Sequence, residues 1–309
     1  MSAPAPRKLR LGTRASKLAR WQADWVAAQL RALGHAVEIV EITTSGDVEQ
    51  SGPVANIGAP GVFTKEIQRA VLAGQVDVAI HSLKDLPTDT VAGLLLVAVP
   101  PRESPADVLV ARSVKSLEEL PAAALVGTGS LRRQAQLRHV RRDLRIENIR
   151  GNVETRVRKL DDGEFDAIVL AEAGLKRLGL APRVSQLLPF DVMLPAVGQG
   201  ALGIECRSDD AATLAALKSI DDADSHAAVL AERSLLAHLR GGCLAPIGAL
   251  GRIEDGRLRL SAVVLNPDGS RRLVASDAAS PAEAITLGRR VADALLAQGA
   301  AELIASSRS

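Results

Sequence analysis

Apolar and polar positions along the chain alternate between short strand-like runs and longer stretches with helical spacing. Over the first hundred residues, this pattern predicts strands at Leu9–Thr13, Val37–Thr43, Val76–Ser82 and Leu94–Val99. Two helices are predicted between them, one from the Ser16 N-cap to about Leu33 and one from Phe63 to Ala73. Strands that alternate with helices are typical of a mostly parallel, wound sheet.

The first predicted helix has an apolar stripe at roughly helical spacing, formed by Trp21, Trp25, Ala28 and Leu33. We expect this stripe to face the sheet. The segment Thr44–Gly61 is rich in Gly, Pro and small polar residues, and its length predicts a functional loop.

A second α/β run begins after Pro100 and Pro101. Its predicted strands are Ala106–Ala111, Leu125–Thr128, Leu144–Ile149 and Ala167–Ala171. Its predicted helices are Leu131–Val140, Val153–Leu160 and Ala173–Leu178. Both runs join a strand to a helix through Gly, Thr and a capping Ser, at Gly12–Ser16 and at Gly127–Arg133. This similarity indicates two related lobes.

The last third of the chain has a different pattern. A flexible crossing at 194–200 and a strand at Ala201–Glu205 are followed by a long helix at Ser225–Leu239. Hairpin residues at Asn266–Gly269 and a last helix at Ala282–Gln298 complete the pattern. We therefore expect an α/β protein with two wound α/β domains and a smaller α+β C-terminal domain. The expected domains are 8–100 with 201–218, 106–194, and 222–309.

The composition argues against several classes of function. The net charge of +2, the lack of Tyr and the aromatic content of 2% argue against nucleic-acid binding. The apolar run around 91–101 is about half of the roughly 20 residues that a membrane-spanning helix needs. The first ten residues lack the apolar core of a signal peptide, so a cytoplasmic location is the default expectation. The two cysteines and five histidines show neither a disulfide framework nor metal-ligand spacing, and phosphate-loop and hydrolase motifs are missing.

Several arginines stand at the starts of predicted helices, where a cation opposes the helix macrodipole at a cost of about 0.3–1 kcal/mol. They are Arg14, Arg132, Arg133, Arg150 and Arg156. Bound anions would reverse the sign of that cost, and several anionic groups on one ligand would explain several such sites. The alternative is that each arginine lies on a solvated surface. Without a phosphate loop, carboxylates are as good a hypothesis as phosphates.

Two further segments are candidates for chemistry. Lys84 and Asp85 follow an apolar strand, and Asp85 either caps the turn before Leu86-Pro87 or stabilises a cationic intermediate. His81 in the same strand is interpreted as a core residue or a support for the site. Cys243 lies in a glycine-flanked turn and is a candidate nucleophile, whereas Cys206 is interpreted as a packing residue.

Nine short motifs, in this order and at these spacings, resemble the porphobilinogen deaminases (hydroxymethylbilane synthases). They are Gly-Thr-Arg-x-Ser at 12–16, Thr-Ser-Gly-Asp at 44–47, Phe-Thr-Lys-Glu at 63–66, His-Ser-Leu-Lys-Asp-Leu-Pro at 81–87, Gly-Thr-Gly-Ser-Leu-Arg-Arg at 127–133, Arg-Gly-Asn-Val at 150–153, Ala-Gly-Leu-Lys-Arg-Leu-Gly at 173–179, Pro-Ala-Val-Gly-Gln-Gly at 195–200 and Gly-Gly-Cys at 241–243. Each motif is weak alone, but together they are specific and extend over nearly the whole chain.

The resemblance implies a monomeric transferase of tetrapyrrole (porphyrin and haem) biosynthesis, whose first two domains look like periplasmic binding proteins. Such an enzyme condenses four porphobilinogen molecules into the linear tetrapyrrole hydroxymethylbilane, with loss of ammonia. Cys243 would carry a dipyrromethane cofactor through a thioether, and Asp85 would hydrogen-bond pyrrole N–H groups and stabilise the cation that forms. Every pyrrole unit brings two carboxylates, which agrees with the arginines at the helix starts.

The resemblance also assigns binding roles by matching position. The residues matched to cofactor binding, besides Cys243, are Lys84, Ser130, Arg132, Arg133 and Arg156. Those matched to substrate binding are Arg14, Ser16, Arg150 and Arg177. Gln199 matches the hinge crossing, and no metal ligand is implied.

Two departures from the family pattern stand out. Ala59-Pro60 replaces a stretch in which the family often has a lysine that faces the active site, and Gly129 replaces a second Ser. We expect activity to survive both, because neither touches the cysteine, the aspartate or the main arginines.

The main alternative is a two-lobed carboxylate- or anion-binding protein without catalysis. The missing export signal and the lack of a helix-turn-helix speak against transport and transcriptional versions of it, and neither would use the Gly-Gly-Cys turn. A phosphate-substrate transferase is a third possibility, disfavoured by the missing phosphate loop and metal ligands.

Overall fold

The computed structural model describes residues 8–44, 64–241 and 245–307. The chain divides into two compact units, Met1–Arg102 with Ala201–His226 and Glu103–Gly200 with Ala227–Ser309. The first unit is therefore built from two separate stretches of sequence.

The strands, in chain order, are β1 (Leu9–Thr13), β2 (Val37–Glu41), β3 (Val78–Ser82), β4 (Leu94–Ala98), β5 (Asp107–Ala111), β6 (Leu125–Gly127), β7 (Arg145–Glu147), β8 (Ala167–Ala171), β9 (Gln186–Leu187), β10 (Leu202–Arg207), β11 (Ile247–Glu254), β12 (Arg257–Leu265) and β13 (Arg272–Ala279). The α-helices are α1 (Lys17–Ala32), α2 (Lys65–Leu72), α3 (Leu131–Val140), α4 (Val153–Asp161), α5 (Glu172–Arg177), α6 (Ala211–Lys218), α7 (Ala223–His238), α8 (Ala284–Ala297) and α9 (Ala300–Ser306). Short 3-10 helices are Leu83–Asp85, Ala181–Arg183 and Pro281–Glu283.

The first unit contains one five-stranded sheet with the order β2-β1-β3-β10-β4. β1 runs parallel to β2 and β3, whereas β10 runs antiparallel to both of its neighbours. One face packs against apolar residues of α1 and α6, and the other face packs against α2. The sheet is therefore mostly parallel, as predicted, with a single reversed strand.

The face that α1 buries differs from the predicted one. The buried apolar residues are Ala23, Val26, Ala27 and Leu30, whereas Trp21, Ala28 and Leu33 are exposed. Trp25, the fourth residue of the predicted stripe, is half-buried and packs against the same core, so the prediction was wrong at three of its four positions. The observed stripe keeps the i, i+3, i+4, i+7 spacing of one helical face.

The second unit contains two sheets. One has the order β7-β6-β8-β5-β9, with β5 antiparallel to β8 and β9, and with α3 on one face and α4 and α5 on the other. The other is the antiparallel sheet β11-β12-β13, which packs against α7, α8 and α9. The predicted fold class, two wound α/β parts and a smaller α+β part, is confirmed. The domain ranges 106–194 and 222–309 stay a prediction.

Two helices near the end of the chain differ from the prediction. α7 begins at Ala223 rather than Ser225, because the Asp222 carboxylate accepts the Ser225 backbone N–H at 2.8 Å and so caps the helix two residues earlier. The predicted last helix does not close the chain. It ends at Ala297, and α9 begins after Gly299, whose φ of +96° interrupts the helix.

Candidate functional site

The carboxyl ends of β1 and β3 lie at the same edge of the first sheet, because the two strands are parallel neighbours with Gly12 opposite Ala79. β1 leads into Arg14 and the Ser16 cap, and β3 leads directly into the 3-10 turn Leu83–Asp85. The sequence candidates of the first unit are thus gathered at one edge, where wound α/β sheets bind their ligands.

Asp85 is exposed at the end of that turn, next to the exposed Lys84. The turn is closed by the Leu86 backbone N–H, which donates to the Leu83 carbonyl at 3.1 Å. Among the described residues, none donates a hydrogen bond to the Asp85 carboxylate. The alternative of a turn-capping aspartate therefore has no support, and the carboxylate is available to a ligand.

His81 lies below this turn as a buried structural residue. Its Nε2 is 2.9 Å from Oε2 of Glu205, which also accepts a hydrogen bond from Gln68 Nε2 at 2.9 Å. All three side chains are buried. They join β3, β10 and α2, and His81 is held away from solvent.

Ser16 caps α1 through its side chain. Its Oγ accepts the Ala19 backbone N–H at 3.3 Å, which leaves the hydroxyl hydrogen for another acceptor. Arg14, two residues earlier, is half-buried. An anion at this helix start would meet both a hydroxyl donor and a guanidinium.

In the second unit, Arg132 and Arg133 bind one buried carboxylate, that of Asp107. Arg132 Nη1 lies 2.7 Å from Asp107 Oδ2, and Arg133 donates to Oδ1 through Nε at 2.9 Å and Nη2 at 2.7 Å. Burial alone would raise the pKa of Asp107, but the two guanidiniums outweigh it and lower that pKa to about 2. Two buried cations share one anion, so the group keeps an excess positive charge.

Gln199 completes this cluster. Its Nε2 donates to Asp107 Oδ1 at 2.9 Å and to the Pro105 carbonyl at 2.7 Å, and the residue is buried. The chain passes from the first unit to the second just before Pro105 and returns just after Gln199, and these two passages are called the outgoing and returning crossings. Gly200, at φ +85°, lies so close to the Glu103 carbonyl that a side chain there would collide with it. The two crossings are therefore bound to each other.

Arg132 and Arg156 retain binding capacity of their own. Arg132 Nε is buried and has no acceptor among the residues that the structure describes. Arg156 Nε donates to the Gly151 carbonyl at 2.8 Å, and no carboxylate within the described ranges forms an ion pair with it. Burial, together with the nearby charge of Arg133, lowers the pKa of Arg156 to about 10. A ligand carboxylate would relieve both effects.

Ser130, the N-cap residue of α3, makes no capping hydrogen bond with its side chain, unlike Ser16. Arg150 is exposed just before the Asn152 cap of α4. Arg177, at the end of α5, is half-buried and donates to the Gly200 carbonyl at 2.7 Å. Burial lowers the pKa of Arg177, and Glu103 opposes that effect.

The sequence interpretation missed Asp107. The only indication of its role was a carboxylate at the start of an apolar strand. A single sequence does not show that two arginines, 25 and 26 positions later, contact that carboxylate. From their position at a helix start, Arg132 and Arg133 were expected to need an external anion. The structure supplies part of that anion internally.

Several predicted features lie outside the described residues, namely Cys243, the predicted functional loop beyond Thr44 with its Ala59-Pro60 stretch, and Phe63 at the predicted start of the second helix. Cys206 is buried in β10, as expected for a packing residue, and burial raises the pKa of its thiol to about 11. Within ranges 8–44, 64–241 and 245–307, no helix is long and apolar enough to cross a membrane. The same residues contain no cluster of three or more His, Cys, Asp or Glu side chains placed to hold a metal ion.

Solved structures with a similar course of the chain include two binding proteins. A periplasmic substrate-binding protein of an ABC transporter from Coxiella burnetii is 15% identical with a TM-score of 0.44. The match covers 69% of this chain and 91% of that protein's chain. A nutrient-binding protein from Burkholderia cenocepacia bound to methionine is 14% identical with a TM-score of 0.43, and covers 68% and 89%.

Sequence relatives are far closer. Residues 9–215 match the family model described as "Porphobilinogen deaminase, dipyromethane cofactor binding domain", and residues 226–297 match "Porphobilinogen deaminase, C-terminal domain". The porphobilinogen deaminase of Pelotomaculum thermopropionicum is 50% identical over 98% of this chain and 97% of its own. That of Desulforudis audaxviator is 51% identical over 98% and 99%. With two consecutive family models matched and half of all positions shared over nearly full length, the chain belongs to the porphobilinogen deaminase family.

Proposed function

We propose that this chain carries out its family's reaction with Asp85 as the catalytic carboxylate and Cys243 as the attachment point of the dipyrromethane cofactor. The reaction condenses four porphobilinogen molecules head to tail, with loss of ammonia, into hydroxymethylbilane. The observation that supports the role of Asp85 is its exposed carboxylate, which accepts no hydrogen bond from the described residues at the carboxyl end of β3.

The donors of the second unit fit a cofactor that carries four carboxylates, two on each pyrrole ring. The buried Arg132 Nε lacks an acceptor, and Arg156 lacks a carboxylate partner in the described part of the chain. The Ser130 hydroxyl is not used as a helix cap. When bound, the dipyrromethane supplies the pyrrole carbon to which the first substrate is joined. Lys84, Ser130, Arg132, Arg133 and Arg156 would hold it.

Asp107 would orient this set. It holds Arg132 through one contact and Arg133 through two, which fixes the planes of both guanidiniums. Fixed guanidiniums bind carboxylates with less loss of side-chain entropy than mobile ones. The excess positive charge of the cluster then remains available to the ligand.

Asp85 would act on the substrate. When the carbon–nitrogen bond of porphobilinogen breaks and ammonia leaves, positive charge spreads over the pyrrole ring and its N–H. A carboxylate that accepts a hydrogen bond from that N–H stabilises the developing charge, and one such electrostatic contact is typically worth a factor of about 10²–10³ in rate. Because Asp85 is exposed, it can also pass to water the proton released as the new carbon–carbon bond forms.

Substrate carboxylates would be bound by Arg14, Ser16, Arg150 and Arg177. Ser16 keeps its hydroxyl hydrogen for this purpose, because its oxygen accepts the Ala19 N–H. Gln199, which bonds both crossings, would act at the hinge. We also propose a cytoplasmic monomer, as the resemblance to the family implies, that binds no nucleic acid. The small net charge and the scarcity of aromatic residues support the last point. Size-exclusion chromatography with light scattering tests the monomer.

Intact-protein mass spectrometry before and after brief exposure to porphobilinogen tests the proposed function. We expect a mass increased by two pyrrole units at the start, and further single units after exposure. Cys243→Ala should remove the initial increase, whereas the matched variant Cys206→Ala should keep it. A wild-type mass that porphobilinogen never changes would favour the alternative of an anion-binding protein without catalysis.

A further inference from the structure

Strand β10 contacts the turn that carries Asp85. It pairs antiparallel with β3, with Leu202 opposite Ser82 and Gly203 opposite His81. Just before the strand, the Ala201 carbonyl accepts the Leu83 backbone N–H at 3.0 Å. The first residue of the 3-10 turn is therefore held by the chain that returns from the second crossing.

Gly203 leaves the space that Leu83 occupies. A methyl group on the Gly203 Cα would lie 2.5 Å from Leu83 Cδ1 and 3.2 Å from Leu96 Cδ1. The first distance is far shorter than any van der Waals contact, and Leu83 is only 1% exposed. Gly203 does not have the positive φ that favours glycine, so the requirement at this position is for space.

We propose that Gly203 is a positioning residue for the condensation reaction. Because Gly203 has no side chain, the Leu83 side chain can pack against it. The position of Leu83 in turn determines the positions of Lys84 and Asp85. The inference rests on the proposed role of Asp85.

The surroundings give β10 little freedom to yield. His81 and Gln68 both bond Glu205 at 2.9 Å, which fixes β10 in register against β3 and α2. A strand fixed in register cannot slide to make room for a methyl group, so Leu83 has to move. Protein interiors are close-packed and transmit such shifts.

A shift of Leu83 reaches Asp85 directly. The two residues are the first and last of a three-residue turn, which a backbone hydrogen bond from Leu86 N–H to the Leu83 carbonyl closes. A displacement of about 1 Å in a catalytic group costs up to roughly 100-fold in rate. Of the residues proposed to bind the cofactor, only Lys84 moves with the turn. The covalent bond to Cys243 and the donors of the second unit would be unaffected, and no proposed substrate-binding arginine lies in the turn, so cofactor attachment and substrate affinity should persist.

The test is Gly203→Ala in the full-length holoenzyme. We expect kcat to fall about 10- to 100-fold, with KM and the cofactor mass unchanged. Ile204→Val is the matched control. Ile204 is the next residue of β10, packs in the core on the opposite face of the sheet, and should lose stability without a change in kcat.

A second substitution separates positioning from general damage. Leu83→Val removes the Cδ1 atom that the new methyl group would meet, and by emptying the space beside Gly203 it should lower kcat on its own. In combination with Gly203→Ala that space is filled again, so the double variant should exceed both single variants in kcat. A loss of stability alone would not produce this pattern.

Two results would overturn the proposal, namely an unchanged kcat in Gly203→Ala or a double variant slower than both single ones. If Gly203→Ala cannot be obtained folded, Leu83→Val decides alone, and an unchanged kcat again overturns it. A wild-type protein that never gains mass from porphobilinogen would contradict the proposed function instead, so the two failures are distinguishable.

Discussion

The two five-stranded sheets share one plan and differ in the chemistry at their edges. The strand orders are β2-β1-β3-β10-β4 and β7-β6-β8-β5-β9. Each sheet has three parallel strands, then one reversed strand, then a last strand antiparallel to the reversed one. In each, the reversed strand is the one that follows a crossing of the chain. Similar strand-to-helix connections in the sequence had predicted this relation between two lobes.

The difference lies in which charge is buried and which is exposed. At the edge of the first sheet, the Asp85 carboxylate is exposed and accepts nothing from the described residues. In the second sheet, the carboxylate of Asp107 is buried and neutralises part of the charge of two buried arginines. The first sheet therefore presents an exposed carboxylate that can stabilise a cation. The second sheet, which has the same topology, presents buried arginines with excess positive charge that can bind anions.

Removing the free anion should have the largest effect on the reaction. We expect Asp85→Asn to lower kcat by about 10²–10⁴-fold, with cofactor mass and unfolding temperature unchanged, because the side chain holds no other residue in place. Steady-state kinetics with porphobilinogen measures this. Asp89→Asn, an exposed carboxylate four positions later, is the control and should keep full activity. Full activity in Asp85→Asn would remove its catalytic role.

Removing the buried anion should act mainly on stability. Asp107→Asn leaves Arg132 and Arg133 without their counter-charge, a change that typically costs about 3–5 kcal/mol of unfolding free energy. Urea denaturation measures it. The control Asp161→Asn breaks an exposed pair with Arg183 and should cost at most about 1 kcal/mol.

The stability of the wild type and of Asp107→Asn can also be compared as a function of pH. The pKa of Asp107 is lowered to about 2 by the two arginines, against burial, so its ionised form stabilises the fold above the unfolded-state pKa near 4. Wild-type stability should fall by something on the order of 2 kcal/mol as the pH drops from about 4 through 2. Asp107→Asn should lack this part of the acid sensitivity, and equal acid profiles would contradict the assignment.

The smallest effect is expected at the two cap serines. Ser16→Ala should cost about 1 kcal/mol, because Ser16 Oγ accepts the Ala19 N–H. Ser130→Ala should cost close to nothing, since its side chain makes no capping bond, yet it should lower the fraction of the protein that acquires the cofactor. Thermal unfolding and intact mass, recorded on both variants, make the comparison. Equal losses of stability would show that Ser130 is an ordinary cap.

Local patterns predicted much of the fold and little of the electrostatics. β1 and β8 have their predicted bounds because strong apolar runs mark both ends, and α3 has its predicted bounds although Ser130 makes no capping hydrogen bond. α6 was missed because its small apolar residues form no clear stripe. The pairing of Asp107 with Arg132 joins strands and helices far apart in sequence, and only the folded sheet brings them together.

The burial of Cys206 has a practical consequence for chemical labelling. With a pKa of about 11, its thiol is ionised in only about one molecule in ten thousand at pH 7, and the thiolate is the reactive form. Toward alkylating reagents under native conditions, a chain with two cysteines should therefore behave as one with at most a single reactive thiol. Counting labelled sites before and after unfolding then reports directly on the state of Cys243.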